Sequence, residues 1–95
     1  MKVKLNNGTE YWVSFFHNIK GNKLPYTKCI IENNNEKSLV GIGVATLATG
    51  DRFCKDKGRK IAMKRAMNAI GLNKETRKLF WIEYHKMTNK LNRIK

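Results

Sequence analysis

Cysteine is almost absent from this chain: Cys29 and Cys54 are far apart and form no Cys-x-x-Cys pair. A disulfide framework is therefore not expected, and both thiols should be reduced. Histidine is just as scarce, with only His17 and His85, and no serine lies in a nucleophile elbow. A Ser- or Cys-based triad is not expected, and neither is enzymatic activity. Cys29, Cys54, His17 and His85 show no metal-ligand spacing, so no zinc site and no cofactor are expected. Gly41-Ile42-Gly43 lacks the remaining glycine and the helix entry of a dinucleotide fingerprint. No apolar run approaches the roughly 18 residues a membrane span needs, and Met1-Lys2-Val3-Lys4-Leu5 lacks a signal-peptide core. A cytoplasmic protein with no membrane partner is expected. Anionic lipid is a poor fit too, because the basic helix described below carries Ala and Met on its apolar arc and no aromatic anchor.

Acidic residues are also few. Seven Asp and Glu face twenty Lys and Arg, for a formal net charge of +13. Such an excess points to a polyanionic partner, nucleic acid first, or to an acidic protein surface. Its distribution is uneven: residues 1–50 hold six basic and three acidic residues, residues 51–95 fourteen and four. The charge should form a patch. Ninety-five residues at 41% hydrophobic content suit a single domain, residues 1–95, with one modest core.

Lys2-Val3-Lys4-Leu5 alternates like a short strand, Asn6-Asn7-Gly8 signals a turn, and Glu10 to Ile19 reads as a longer strand. In it Tyr11, Val13 and Phe15 point one way and Trp12, Ser14 and Phe16 the other. Turn chemistry at Lys20-Gly21-Asn22-Lys23 precedes a strand from Tyr26 to Glu32, and Asn33-Asn34-Asn35-Glu36-Lys37-Ser38 forms a loop. Leu39 to Leu47 reads as a fourth strand. There Gly41 and Gly43 permit a bulge or close backbone approach, sheet curvature being the simpler reading.

The most informative stretch is Lys55-Asp56-Lys57-Gly58-Arg59-Lys60-Ile61-Ala62-Met63-Lys64-Arg65-Ala66. On a helical wheel Ala62, Met63, Ala66, Met67, Ala69 and Ile70 share a core-facing arc. Lys57, Lys60 and Lys64 form a ridge on the other side, with Arg59 near the start and Arg65 on the flank. Asp51 and Asp56 are candidate N-caps, and Gly71 suits the C′ position. Cations in a first turn oppose the helix macrodipole, a conflict that a docked anion would relieve. Phe53 and Cys54 read as anchors of the preceding loop. After Gly71-Leu72-Asn73, with Asn73 as cap, Phe80, Tyr84, Met87, Leu91 and Ile94 recur at helical spacing, widened by Leu79 and Trp81. Ile82 lies nearly opposite that stripe. The expected fold is α+β: an antiparallel meander of three to four strands, then two helices packed on one face.

Three meander strands followed by a helix with a cationic start resemble the C-terminal part of the double-stranded-RNA-binding domain, over residues 26–70. Arg59-Lys60-Ile61-Ala62 is similar to that family's Lys-Lys-x-Ala-type motif, and Ala66 falls where its helix prefers a small residue. The resemblance implies phosphate contacts from the start of the helix. The chain differs in opening with a hairpin instead of a helix, in Met63 at the third lysine position, and in its second helix. As a whole it resembles small basic phage or mobile-element proteins.

These features lead to a non-catalytic nucleic-acid-binding module of slight sequence preference, for DNA or RNA. Its phosphate contacts would be Lys55, Lys57, Arg59, Lys60, Lys64 and Arg65, with Lys74, Arg77 and Lys78 as an outer set. Any exposed pair among Tyr11, Trp12, Phe15, Phe16 and Tyr26 would be able to stack on unpaired bases, so solvent-facing Trp12 and Phe16 would favour single strands. The alternative is a small phage-type inhibitor or adaptor, anti-CRISPR-like, that docks on a host protein or defence nuclease through an acidic or nucleic-acid-binding surface.

Overall fold

The computed structural model describes residues 1–18, 24–47 and 54–93, with side chains as far as residue 89. Four strands precede two helices: β1 (Lys2–Lys4), β2 (Glu10–Asn18), β3 (Tyr26–Asn33), β4 (Ser38–Thr46), α1 (Lys55–Ile70) and α2 (Lys74–Arg93). The strands form one antiparallel meander in sequence order. Short polar turns join β1 to β2 and β3 to β4. Gly8, at φ 89°, closes the β1–β2 turn, and Lys37, at φ 53°, sits in the β3–β4 turn. The three asparagines act as more than a spacer. Asn35 Oδ1 accepts the Glu10 N–H at 2.7 Å, and Asn34 Nδ2 donates to Glu10 Oε1 at 2.6 Å, tying the β3–β4 turn to the start of β2.

Strand alternation decides which residues meet the helices. Val3, Val13, Thr27, Cys29, Ile31 and Ala45 are buried on one face, where Tyr11 and Phe15 are half-buried. On this face Phe80 packs against Tyr11 at 5.5 Å between ring centroids and Tyr84 against Phe15 at 6.1 Å, placing α2 over β2. Ala62, Met63, Ala66 and Met67 supply the α1 side of the core. Each fully buried large side chain of this set is worth roughly 1.5–3 kcal/mol.

Gly41 and Gly43 do more than allow curvature: they admit α1. A Cβ at Gly43 would overlap the Ala62 carbonyl oxygen and the Ala66 nitrogen, and one at Gly41 would lie 2.6 Å from Ile70 Cγ1. Small residues on both partners let the helix backbone rest on the strand. A bulge is present as well. Ile31 pairs with Gly41 but Glu32 pairs with Leu39, so Val40 is the extra residue and Leu39 turns to the opposite face from Gly41.

The helix ends follow their chemistry with one exception. Gly71 is left-handed at φ 78°, and its N–H bonds the carbonyls of Met67 and Asn68. Asn73 caps α2, its Oδ1 accepting the Thr76 N–H at 2.8 Å. The N-cap of α1, however, is Cys54, without a side-chain cap bond. Asp56 lies inside the first turn, and Asp51 falls outside the described residues. Cys54 is exposed and not a loop anchor; Phe53 falls outside the description. Ala69 is exposed, off the core arc. The turn at Lys20-Gly21-Asn22-Lys23, Ile19, Ile94 and the side chain of Leu91 also lie outside the described residues.

Candidate nucleic-acid interface

Helix α1 sorts its cations by direction. Lys57, Lys60 and Lys64 are exposed. Their spacing of three and four residues sets them along one outer strip. Lys55 is exposed at the helix start. Among the described residues only Lys60 of these four has an ionic partner, Asp56 Oδ2 at 3.1 Å. Both side chains of that pair are about half exposed. Such a pair is worth well under about 1 kcal/mol, so a phosphate can displace the carboxylate.

The two arginines of α1 are committed elsewhere. Arg59 turns inward with its side chain 16% exposed; Nε donates to Tyr84 Oη at 3.3 Å, and Nη2 lies 4.0 Å from Asp56 Oδ1. It braces the two helices and is not a free phosphate ligand. Arg65 is exposed but points to the flank, where Nη1 donates to the Val44 carbonyl at 2.6 Å. In that position it covers part of the β4 edge, beside which no further strand lies among the described residues. On α2, Lys74 and Lys78 are exposed one turn apart, while Arg77 is half-buried.

Electrostatics follow from this packing. The Tyr84 hydroxyl, donating to Asp56 Oδ1, is the main reason the Asp56 carboxyl titrates below its ordinary range; burial opposes it, and Lys60 and Arg59 add to it. Burial, reinforced by the Asp56 bond, raises Tyr84. His17, whose Nδ1 lies 2.8 Å from Thr27 Oγ1, is lowered by burial and then by Arg59 and Lys55.

The residues similar to the double-stranded-RNA-binding motif divide in the same way. Lys60 is outward and Ala62 and Ala66 are buried, but Arg59 is held by Tyr84 and Met63 is fully buried. One outward cation of the motif is left.

The sheet's other face carries a second set of residues. No helix covers it among the described residues, and Trp12, Phe16, Leu39, Ile42 and Val44 are exposed there, Trp12 by 45% and Phe16 by 53%. The sequence signal for the aliphatic part lay in the alternation: once Gly41 and Gly43 face the helix, Ile42 and Val44 must face away. Ile82 on α2 is likewise exposed.

Comparison with known protein families, curated proteins and solved structures gives no match. Among the described residues no three His, Cys, Asp or Glu side chains gather as a metal site would require. No described helix is long and apolar enough to cross a membrane.

Proposed function

We propose that this protein is a non-catalytic nucleic-acid-binding module that grips phosphates through the outer strip of α1, with little dependence on base sequence. The observation that carries the reading is the strip itself: Lys57, Lys60 and Lys64 are exposed along one side of a helix, with Asp56 the one carboxylate paired to them among the described residues. Lys55, Lys74 and Lys78 are exposed too. Lysine point charges suit backbone contacts, which position a protein without reading sequence. Arg59 and Arg65 support the fold beneath these contacts.

Replacing Lys57, Lys60 and Lys64 together by Glu should abolish electrophoretic shift of a random duplex while preserving the circular dichroism spectrum. Because Lys60 also pairs with Asp56, the Lys57→Glu/Lys64→Glu double variant separates binding from helix stability. Full binding by both variants would sink the proposal. So would a protein partner from lysate that survives nuclease and high salt while no nucleic acid is bound, a result that supports the inhibitor or adaptor role instead.

A further inference from the structure

The exposed rings of Trp12 and Phe16 have no role in a phosphate ridge on the opposite layer. They project from β2 on the uncovered sheet face, four residues and hence about 13 Å apart. Tyr11 and Phe15, their neighbours in sequence, belong to the helix-facing side. Each exposed ring has a lysine directly across the ladder: Lys2 is opposite Trp12 and Lys28 opposite Phe16. Lys4 shares the face. Two carboxylates are also there, Glu10, which lies 3.5 Å from Lys2, and Glu32, which is opposite Trp12 on β3. Ile30, Ile42 and Val44 continue the apolar floor across β3 and β4.

We infer that this sheet face is a stacking platform for the unpaired bases of a single-stranded nucleic acid, with Trp12 and Phe16 as its rings and Lys2, Lys4 and Lys28 beside the phosphates. The inference rests on the nucleic-acid-binding reading above and assigns it a substrate class. The occupant has to supply flat apolar groups joined by anions, because the surface offers rings and aliphatic side chains with lysines set between them. A second copy of the chain would bring +13 against +13 and is disfavoured by charge. In a duplex the bases are stacked inside and unavailable to these rings, so a duplex engages the α1 strip alone. Sequence-tolerant binding follows, since every base has a face to stack.

The test uses the full chain and a fluorescein-labelled mixed-sequence strand of about 12 nucleotides, as DNA and as RNA, beside the matching duplexes, read by anisotropy. Trp12→Ala and Phe16→Ala should each weaken single-strand binding roughly 5- to 100-fold and leave duplex binding unchanged. Trp12→Phe and Phe16→Tyr should restore most of the loss. These side chains are about half exposed, so folding is preserved, as circular dichroism would verify. Unchanged single-strand affinity in both alanine variants, or equal losses on duplex, would overturn the platform and leave the α1 reading standing. Absence of binding by the unmodified chain to any of the four nucleic acids would remove both. A dimer, seen by sedimentation, that Trp12→Ala dissociates would assign the face to a second copy and also overturn the inference.

Discussion

Tyr84 and Asp56, 28 residues apart, are joined by a hydrogen bond of 2.5 Å from the tyrosine hydroxyl to Oδ1 of the carboxylate. The bond fastens the middle of α2 to the first turn of α1, and Arg59 donates to the same hydroxyl. Tyr84→Phe keeps the buried ring but removes this junction. The expected cost is about 1–2 kcal/mol, because the half-exposed carboxylate regains water while Arg59 loses an acceptor. Thermal unfolding should report a loss of several degrees, and an NMR titration should show the Asp56 carboxyl moving back up. An unchanged Asp56 titration would contradict the assignment.

Gly43→Ala should be among the most disruptive single-methyl changes in the chain. The added carbon meets backbone atoms of Ala62 and Ala66, which cannot rotate away. A loss of about 3 kcal/mol is expected, the upper end of ordinary overpacking. Gly71→Ala provides the contrast: its Cβ meets nothing within 4 Å, and the cost of about 1–2 kcal/mol comes from the positive φ alone. Urea denaturation of both variants compares a steric with a conformational penalty.

Acidification should destabilise the protein in two stages. His17 titrates below its ordinary 6.5, so its neutral form is favoured by folding; that stability is complete above 6.5 and fades as pH falls through the folded value. Asp56 titrates below its ordinary 3.8, so its contribution persists above 3.8 and is lost on further acidification. Denaturation midpoints at pH 7.5, 5 and 3 should fall in that order. His17→Gln should reduce the first step, to which the Met1 amino group, lowered by burial, also contributes, and leave the second.

The thiols should differ sharply. Cys29 is buried, and burial pushes its thiol up to about 12, whereas Cys54 is exposed at the N-cap of α1. Iodoacetamide at pH 8 should modify Cys54 alone until denaturant is added. Cys54→Ser should also supply the missing cap bond and raise stability by about 0.5–1 kcal/mol. Labelling of Cys29 in the native protein would show that its cover opens readily.

Lysines and arginines of α1 should separate in binding assays. Lys57→Ala or Lys64→Ala should lower the slope of log affinity against log salt by about one on duplex DNA with little change in stability. Arg59→Ala should do the reverse, lowering the melting temperature while the slope stays the same. A reduced slope in Arg59→Ala would return that guanidinium to the phosphate-binding set.

Much of this architecture is legible in local chemistry. Turn residues at Asn6-Asn7-Gly8 and Asn33-Asn34-Asn35, the cap at Asn73 and the stop at Gly71 act within a few residues of themselves, so pattern and propensity locate the elements. The two sides of β2 are equally readable from period-two alternation. The fate of Arg59 and Arg65 is different, because wheel geometry assigns a direction but not a partner. Arg59 found Tyr84, 25 residues away, and Arg65 found the Val44 carbonyl, 21 residues away. The cap of α1 at Cys54 also escapes propensity, since cysteine offers no preferred cap chemistry.

By itself the chain's order of residues determined the meander, the two helices and a positive surplus concentrated in its second half, because hydrogen-bond periodicity and charge count depend only on neighbours. Tertiary packing decided which cations stay free for a ligand and which brace the fold. It also decided that Trp12 and Phe16 stand in solvent: both helices settle over the glycine side of the sheet, where Gly41 and Gly43 let the α1 backbone come close to β4.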